Sequence, residues 1–303
     1  LEFSFLPSIL KKQRGEYYLE AQNFSSIHAL ILGLVQGLTE YLPVSSSAHL
    51  ILTPRFLGVQ DPGLAFDVFL HLGTLLATLI YFRADWSMVL RTFPWRIFNP
   101  AHSRATWVKW REALPSGESP LWLLIAAGTL PVLLVGALAH HWIETVLRGN
   151  AVLAVALVAG GLVLFGVDRF APSSRKIDSL KLRDAFWVGL IQCFALIPGV
   201  SRSGSTMIAG RMVGLERGAA ARFSFLLSAP VTLAALVFEL RKFGSLLESV
   251  SGVWPLLLGA GAAYISGWLA IDGLLRLLQR FGFLAFAIYR IVLAVLIVSV
   301  LGV

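Results

Sequence analysis

The chain has 303 residues, of which 57% are hydrophobic and 14% charged, and its mean hydropathy is +0.76. Soluble domains are about a quarter charged, so the composition excludes a soluble globule and reads as a polytopic membrane protein. The net charge of +8 does not imply a nucleic-acid partner, because the basic residues cluster in loops between apolar spans, where membrane orientation places them.

The chain opens on Leu1, and residues 1–26 mix Lys11, Lys12, Arg14, Glu16 and Glu20 with aromatics, so they read as an interfacial or tag-derived arm. No small-residue cleavage site follows a long apolar core there, which argues against a signal peptide. A full membrane span needs about 20 apolar residues. The stretch 27–42 is too short and runs into Gln36-Gly-Leu-Thr-Glu40-Tyr-Leu-Pro-Val-Ser45-Ser46-Ser47-Ala-His49. Each unsatisfied polar group in hydrocarbon costs several kcal/mol, so the backbone is expected to break here and line a polar cavity. A short returning helix is expected near 44–53. Full spans follow at 64–82, 121–139 and 151–170.

The second half repeats this plan. A short apolar stretch, 185–197, meets Pro198-Gly-Val-Ser201-Arg202-Ser203-Gly-Ser205-Thr206, with a returning helix expected near 204–214. Spans follow at 221–240, 253–272 and 284–303. Gly33-Leu34-Val35-Gln36 recurs as Gly189-Leu190-Ile191-Gln192, Val44-Ser45-Ser46-Ser47 as Val200-Ser201-Arg202-Ser203, and Phe69-Leu70 as Phe225-Leu226, all 156 residues apart. An odd number of spans separates the two broken elements, so they should enter from opposite faces. The expected fold is therefore all-α, with about six transmembrane helices and two re-entrant helix-loop-helix elements in an inverted-topology repeat. Residues 27–303 form one membrane domain of two repeats, 27–170 and 185–303. Broken helices of such repeats meet near the bilayer midplane. The loops 83–120 and 168–184, with Arg211, Arg217, Arg222, Arg276 and Arg280, outweigh the other side's Lys11, Lys12, Arg14, Arg55, Arg148, Arg241 and Lys242. The richer side should be cytoplasmic, leaving both termini outside.

The single cysteine, Cys193, excludes a disulfide framework and a multi-cysteine metal site. It also lacks the arginine of the cysteine phosphatases, since Gly199 stands at that position, and it reads as a packing residue. Gln36 and Glu40 lie one helical turn apart on one face, and an intramembrane Glu marks function unless it only caps the broken helix or pairs with Arg202. Ser46 and His49 are three apart, so a helix beginning at the break would bring hydroxyl and imidazole together, as a serine nucleophile needs. Ser45, Ser46 and Ser47 are also good helix caps, and their amides form an anion site at a helix N-terminus. Arg202, between Pro198-Gly199 and Gly204 and among Ser201, Ser203, Ser205 and Thr206, suits a phosphate or diphosphate. Arg290 is expected to snorkel to a span end. Asp67 and His71 either support the site from behind or form a satisfied interfacial pair.

At these residues the chain resembles the undecaprenyl-diphosphate phosphatases of the bacitracin-resistance type. That family's first motif reads here as Gln36, Glu40, Pro43-Val44-Ser45-Ser46 and His49, and its second as Pro198-Gly199-Val200-Ser201-Arg202-Ser203-Gly204-Ser205-Thr206. The resemblance covers roughly residues 25 to 300. It implies a multi-pass phosphatase of the bacterial inner membrane that hydrolyses undecaprenyl diphosphate to the monophosphate carrier, serving peptidoglycan synthesis and bacitracin resistance. It implies catalytic roles for Glu40, Ser46, His49 and Arg202, with Gln36, Ser45, Ser47, Gly199, Ser201, Ser203, Gly204, Ser205 and Thr206 around the diphosphate. It also implies a divalent cation, Mg2+ or Ca2+, at Glu40 and Gln36. Many members carry two carboxylates where this chain has Gln36 and Glu40, so an ion here must lean on Glu40 and the diphosphate. The expected partners are the lipid diphosphate and membrane lipids, and a homodimer is left open. The competing reading is a polyprenyl-phosphate transporter or flippase, which needs the anion site but no nucleophile. A type-2 phosphatidic acid phosphatase is excluded, because no His follows Arg202.

Overall fold

In the computed structural model of the protein, residues 10–13, 16–19, 24–94, 119–147, 149–239, 241, 243–250 and 252–301 are described. Helix α1 (Ser26–Tyr41) stops where its sequence stops it. Leu42 precedes Pro43, whose ring disfavours a helical conformation at the residue before it, and Leu42 sits at φ −70°, ψ 142°. At 16 residues, α1 is about 24 Å long, less than the ~30 Å hydrocarbon core. The chain turns through Ser45, a non-glycine residue at φ 73°, into α2 (Ser46–Leu57). Helix α3 (Leu64–Tyr81) and the short α4 (Arg83–Thr92) follow, then α5 (Leu121–Val146) and α6 (Asn150–Phe170).

The second broken element begins with α7 (Leu182–Gln192), which tightens into a 3-10 turn, Cys193–Leu196, before Pro198-Gly199. Ser201, at φ 72°, then leads into α8 (Arg202–Met212). Helices α1 and α2 thus recur as α7 and α8 at the 156-residue interval, and the strained serine recurs with them. Helix α9 (Arg217–Glu239) matches α3, α10 (Phe243–Ser249) matches α4, and α11 (Val253–Leu277) and α12 (Leu284–Leu301) follow. Apart from an antiparallel hairpin in the arm, β1 (Leu10–Gln13) with β2 (Glu16–Leu19), the described elements are helical.

Each short helix that leads into a break packs on a long helix of the other half, α1 along α11 and α7 along α5, and the full span α6 lies along α12. Small residues permit this. A side chain at Gly33 would run into the backbone of Gly259, and one at Gly189 into that of Gly128. Helices in lipid associate through such close approach, because burying apolar surface from an apolar solvent gains little. Tyr41, Phe82, Leu164, Phe225 and Phe283 share the core beneath the breaks. Tyr41 donates to the Thr74 carbonyl and lies 2.7 Å from Thr78 Oγ1.

Helices α3, α5, α6, α9 and α11 are long and apolar enough to cross a bilayer, and the sixth expected span, in α12, is slightly shorter as described. Leu138, Val155, Phe170, Trp254 and Val295 project outward, which suits a lipid-facing surface rather than water. Several of the basic residues assigned to one face are held by acids there. Arg217 lies 2.7 Å from Asp168, Arg222 2.5 Å from Asp85 and Arg175 2.7 Å from Asp184. Of the other residues that set the orientation, Arg14, Arg96, Arg104, Lys109, Arg111, Arg148 and Lys242 lie outside the described residues.

Candidate active site

The two breaks meet. Ser203 Oγ donates to the Leu42 carbonyl at 3.0 Å, tying the start of α8 to the end of α1. Glu40, 7% exposed, occupies the junction and collects polar groups from four helices. Its Oε1 accepts from Arg202 Nη2 at 2.8 Å, and its Oε2 accepts from Ser46 Oγ at 2.7 Å and from Gln36 Nε2 at 3.1 Å. His71 Nε2 stands 3.3 Å from the same Oε2. The other guanidinium arm of Arg202 donates to the Ser224 carbonyl of α9 at 3.0 Å. The arginine is thereby held between a carboxylate and a carbonyl while its side chain stays 13% exposed.

Helix spacing predicts a Ser46–His49 pair, and the structure separates them. His49 turns Nδ1 back to the Ser45 carbonyl at 2.8 Å and points Nε2 at the Tyr289 hydroxyl, 2.6 Å away. A carbonyl one turn earlier was a closer partner than the serine, and Ser46 found Glu40 instead. His71 is tied in the same way, Nδ1 to the Asp67 carbonyl at 2.7 Å, so it too presents Nε2 to the site. Of the two readings of Asp67 and His71, support for the site from behind describes His71.

The remaining predicted residues divide into two groups. Ser45 pairs with Ser47 Oγ–Oγ at 3.0 Å, and Ser201 with Ser203 at 3.1 Å, the same contact in each break. The two helix starts nevertheless differ. Ser201 Oγ accepts from the Gly204 amide and caps α8, whereas no side chain caps α2. The first-turn amides of α2, flanked by Ser46 and the exposed Ser47, are therefore the freer anion site. Ser205 and Thr206 are buried and donate to the Arg202 carbonyl, so they brace α8 from within. Gly199 adopts φ 96°, and a Cβ there would meet the Leu153 carbonyl.

Two residues on α12 join the site without belonging to either motif: Tyr289, against His49, and Arg290. The expectation that Arg290 snorkels is corrected, since it is fully buried. Its guanidinium donates to five carbonyls: Pro43 of the first break, Gly199 and Val200 of the second, and Ala156 and Leu157 of α6, all within 3.0–3.3 Å. It fixes both breaks from behind and satisfies the peptide oxygens that the breaks free. Position along a span is visible in sequence. The packing of α12 beneath the breaks is not.

For a divalent cation, the chain offers oxygen donors from Glu40 and Gln36. Gln36 is fully buried and its Oε1 has no hydrogen-bond partner, while its Nε2 is held by the carboxylate, which fixes the amide's orientation. No group of three His, Cys, Asp or Glu side chains that could hold a metal occurs among the described residues. The donor set fits a hard cation only when a diphosphate completes it.

The chain matches the family model of bacitracin resistance protein BacA over residues 29–296. It is 47% identical to an undecaprenyl-diphosphatase of Gemmatimonas aurantiaca over 278 residues, covering 90% of this chain and 97% of that one. Over 277 residues it is 42% identical to an undecaprenyl-diphosphatase of Magnetococcus marinus, covering 91% and 98%.

Proposed function

Because the chain belongs to the bacitracin resistance protein BacA family, we propose that it is an integral-membrane phosphatase that hydrolyses undecaprenyl diphosphate to undecaprenyl phosphate and inorganic phosphate. That reaction recycles the lipid carrier of peptidoglycan synthesis and underlies bacitracin resistance. The observation that carries the chemistry is the Ser46–Glu40–Arg202 constellation, a hydroxyl and a guanidinium held by the two oxygens of one buried carboxylate.

In this reading the terminal phosphoryl group sits at the α2 N-terminus, beside Arg202. Ser46 Oγ attacks the phosphorus as its proton passes to Glu40 Oε2, and the bond to the bridging oxygen breaks, releasing undecaprenyl phosphate. Water then attacks the phosphoserine, its proton goes to His49 Nε2, and the proton on Glu40 returns to the serine oxygen. Arg202 and the α2 amides stabilise charge on the phosphoryl oxygens, and most of the acceleration comes from such positioning and electrostatics. A cation held by Glu40, Gln36 and the diphosphate would neutralise further charge there. The reading is tested by adding undecaprenyl diphosphate to the purified protein with and without chelator. Phosphate release that chelation suppresses is expected. No release in either condition, with the lipid still bound, would favour a carrier that moves polyprenyl phosphates.

The two broken elements would enter from opposite faces, and the positive-inside count places both termini outside the bacterial plasma membrane. A C-terminal reporter should then be active only when it requires export. Activity confined to a cytoplasm-dependent reporter would reverse the assignment.

A further inference from the structure

His49 has a neighbour that neither motif contains. Its Nδ1 lies 2.8 Å from the Ser45 carbonyl, which can only accept, so Nδ1 carries the proton. In the neutral imidazole, Nε2 is then the base nitrogen, and the Tyr289 hydroxyl lies 2.6 Å from it. The two rings lie nearly parallel and side by side, 4° apart in plane with centroids 5.6 Å apart. Tyr289 is 45% exposed on the apolar α12, where a hydroxyl needs a partner, and His49 is the partner it takes. The next residue, Arg290, ties α12 to both breaks, which fixes where the tyrosine stands relative to α2.

We propose that Tyr289 is a positioning residue for His49, its hydroxyl holding the imidazole in the one ring orientation that keeps Nδ1–H on the Ser45 carbonyl and Nε2 as the base nitrogen. The proposal rests on the phosphatase reading, in which His49 takes the proton of the water that attacks phosphoserine. A flipped ring would place the Cε1–H where the Nε2 lone pair is needed. In the resting ring the hydroxyl donates to Nε2; as the water gives up its proton the hydroxyl must rotate its own hydrogen away, freeing the lone pair, and it then accepts from the new Nε2–H.

Tyr289→Phe keeps the ring and removes the hydroxyl, at an exposed position where little else changes. With undecaprenyl diphosphate as substrate, kcat should fall tenfold or more while KM stays within twofold, and Tyr289→Leu, which also loses the ring, should fall at least as far. In histidine-labelled protein without substrate, the ring-nitrogen NMR signals assigned through His49→Gln should show one ring state in the wild type, with Nε2 shifted as a hydrogen-bonded nitrogen, and in Tyr289→Phe an unshifted Nε2 with broadening or doubling from a second ring orientation. A Phe variant with kcat within twofold of wild type, a loss confined to KM, or unchanged His49 ring signals would each overturn the proposal. Because the NMR reading needs no turnover, a wild-type protein inactive on the diphosphate would overturn the phosphatase reading while the ring signals still decide the role of Tyr289.

Discussion

Replacing Arg202 by alanine is expected to lower phosphate release on the order of a thousandfold, the scale on which an arginine that clamps a transferring phosphoryl group acts. Arg202→Lys should recover little. The guanidinium now reaches Glu40 with one arm and the Ser224 carbonyl with the other, and a single ammonium cannot reproduce that fork. Stability must be read beside activity. Removing one partner of a buried ion pair costs roughly 3–5 kcal/mol, because the other charge is left without compensation. His71 beside Glu40 should soften that cost. The double variant Arg202→Ala with Glu40→Gln should therefore unfold later on heating than Arg202→Ala alone, yet remain inactive. Near-normal rates for the lysine variant would show that only the charge matters.

The second large effect concerns the hydroxyl and carboxylate that work together. Ser46→Ala removes the attacking oxygen, and Glu40→Gln keeps the side-chain volume while removing the group that takes its proton. Each should lower kcat on the order of a thousandfold, and the double variant should be little worse than either, since residues acting as one unit are strongly non-additive. Multiplying losses would mean that Ser46 and Glu40 act separately. Ser46→Ala retaining most activity would hand the attack to water.

Much of the scaffold was legible because breaks and spans have local causes. Pro43 ends α1, Pro198 stops the 3-10 turn that continues α7, and polar residues too costly to face lipid mark both places. The recurrence of Ser45 in Ser201 was visible as a repeated tetrad, and the structure adds that both serines take the same left-handed backbone, a strain of about 1–3 kcal/mol each that clusters at functional sites. Contacts between distant elements were not legible. Glu40 meeting Arg202 across 162 positions followed from the two breaks facing each other, but His71, Ser224, Tyr289 and Arg290 reach the site through helix packing alone. The Ser46–His49 expectation failed for a local reason. Spacing puts both on one helix face, but it does not say which partner the imidazole prefers, and the Ser45 carbonyl satisfies Nδ1 first.

The carrier reading shares the anion site and the paired broken helices. It has no use for a serine hydroxyl donating to a buried carboxylate, an arrangement that readies an oxygen for attack. The central claim is thus that Ser46 becomes covalently phosphorylated. Undecaprenyl diphosphate carrying radioactive phosphorus in its terminal group would be mixed with the protein and quenched in acid during turnover. The account predicts label retained on the protein, stable in acid, located at Ser46 and absent from Ser46→Ala. Label that is lost in acid and maps to His49, or turnover at normal rates with no labelled protein at any time, would contradict it.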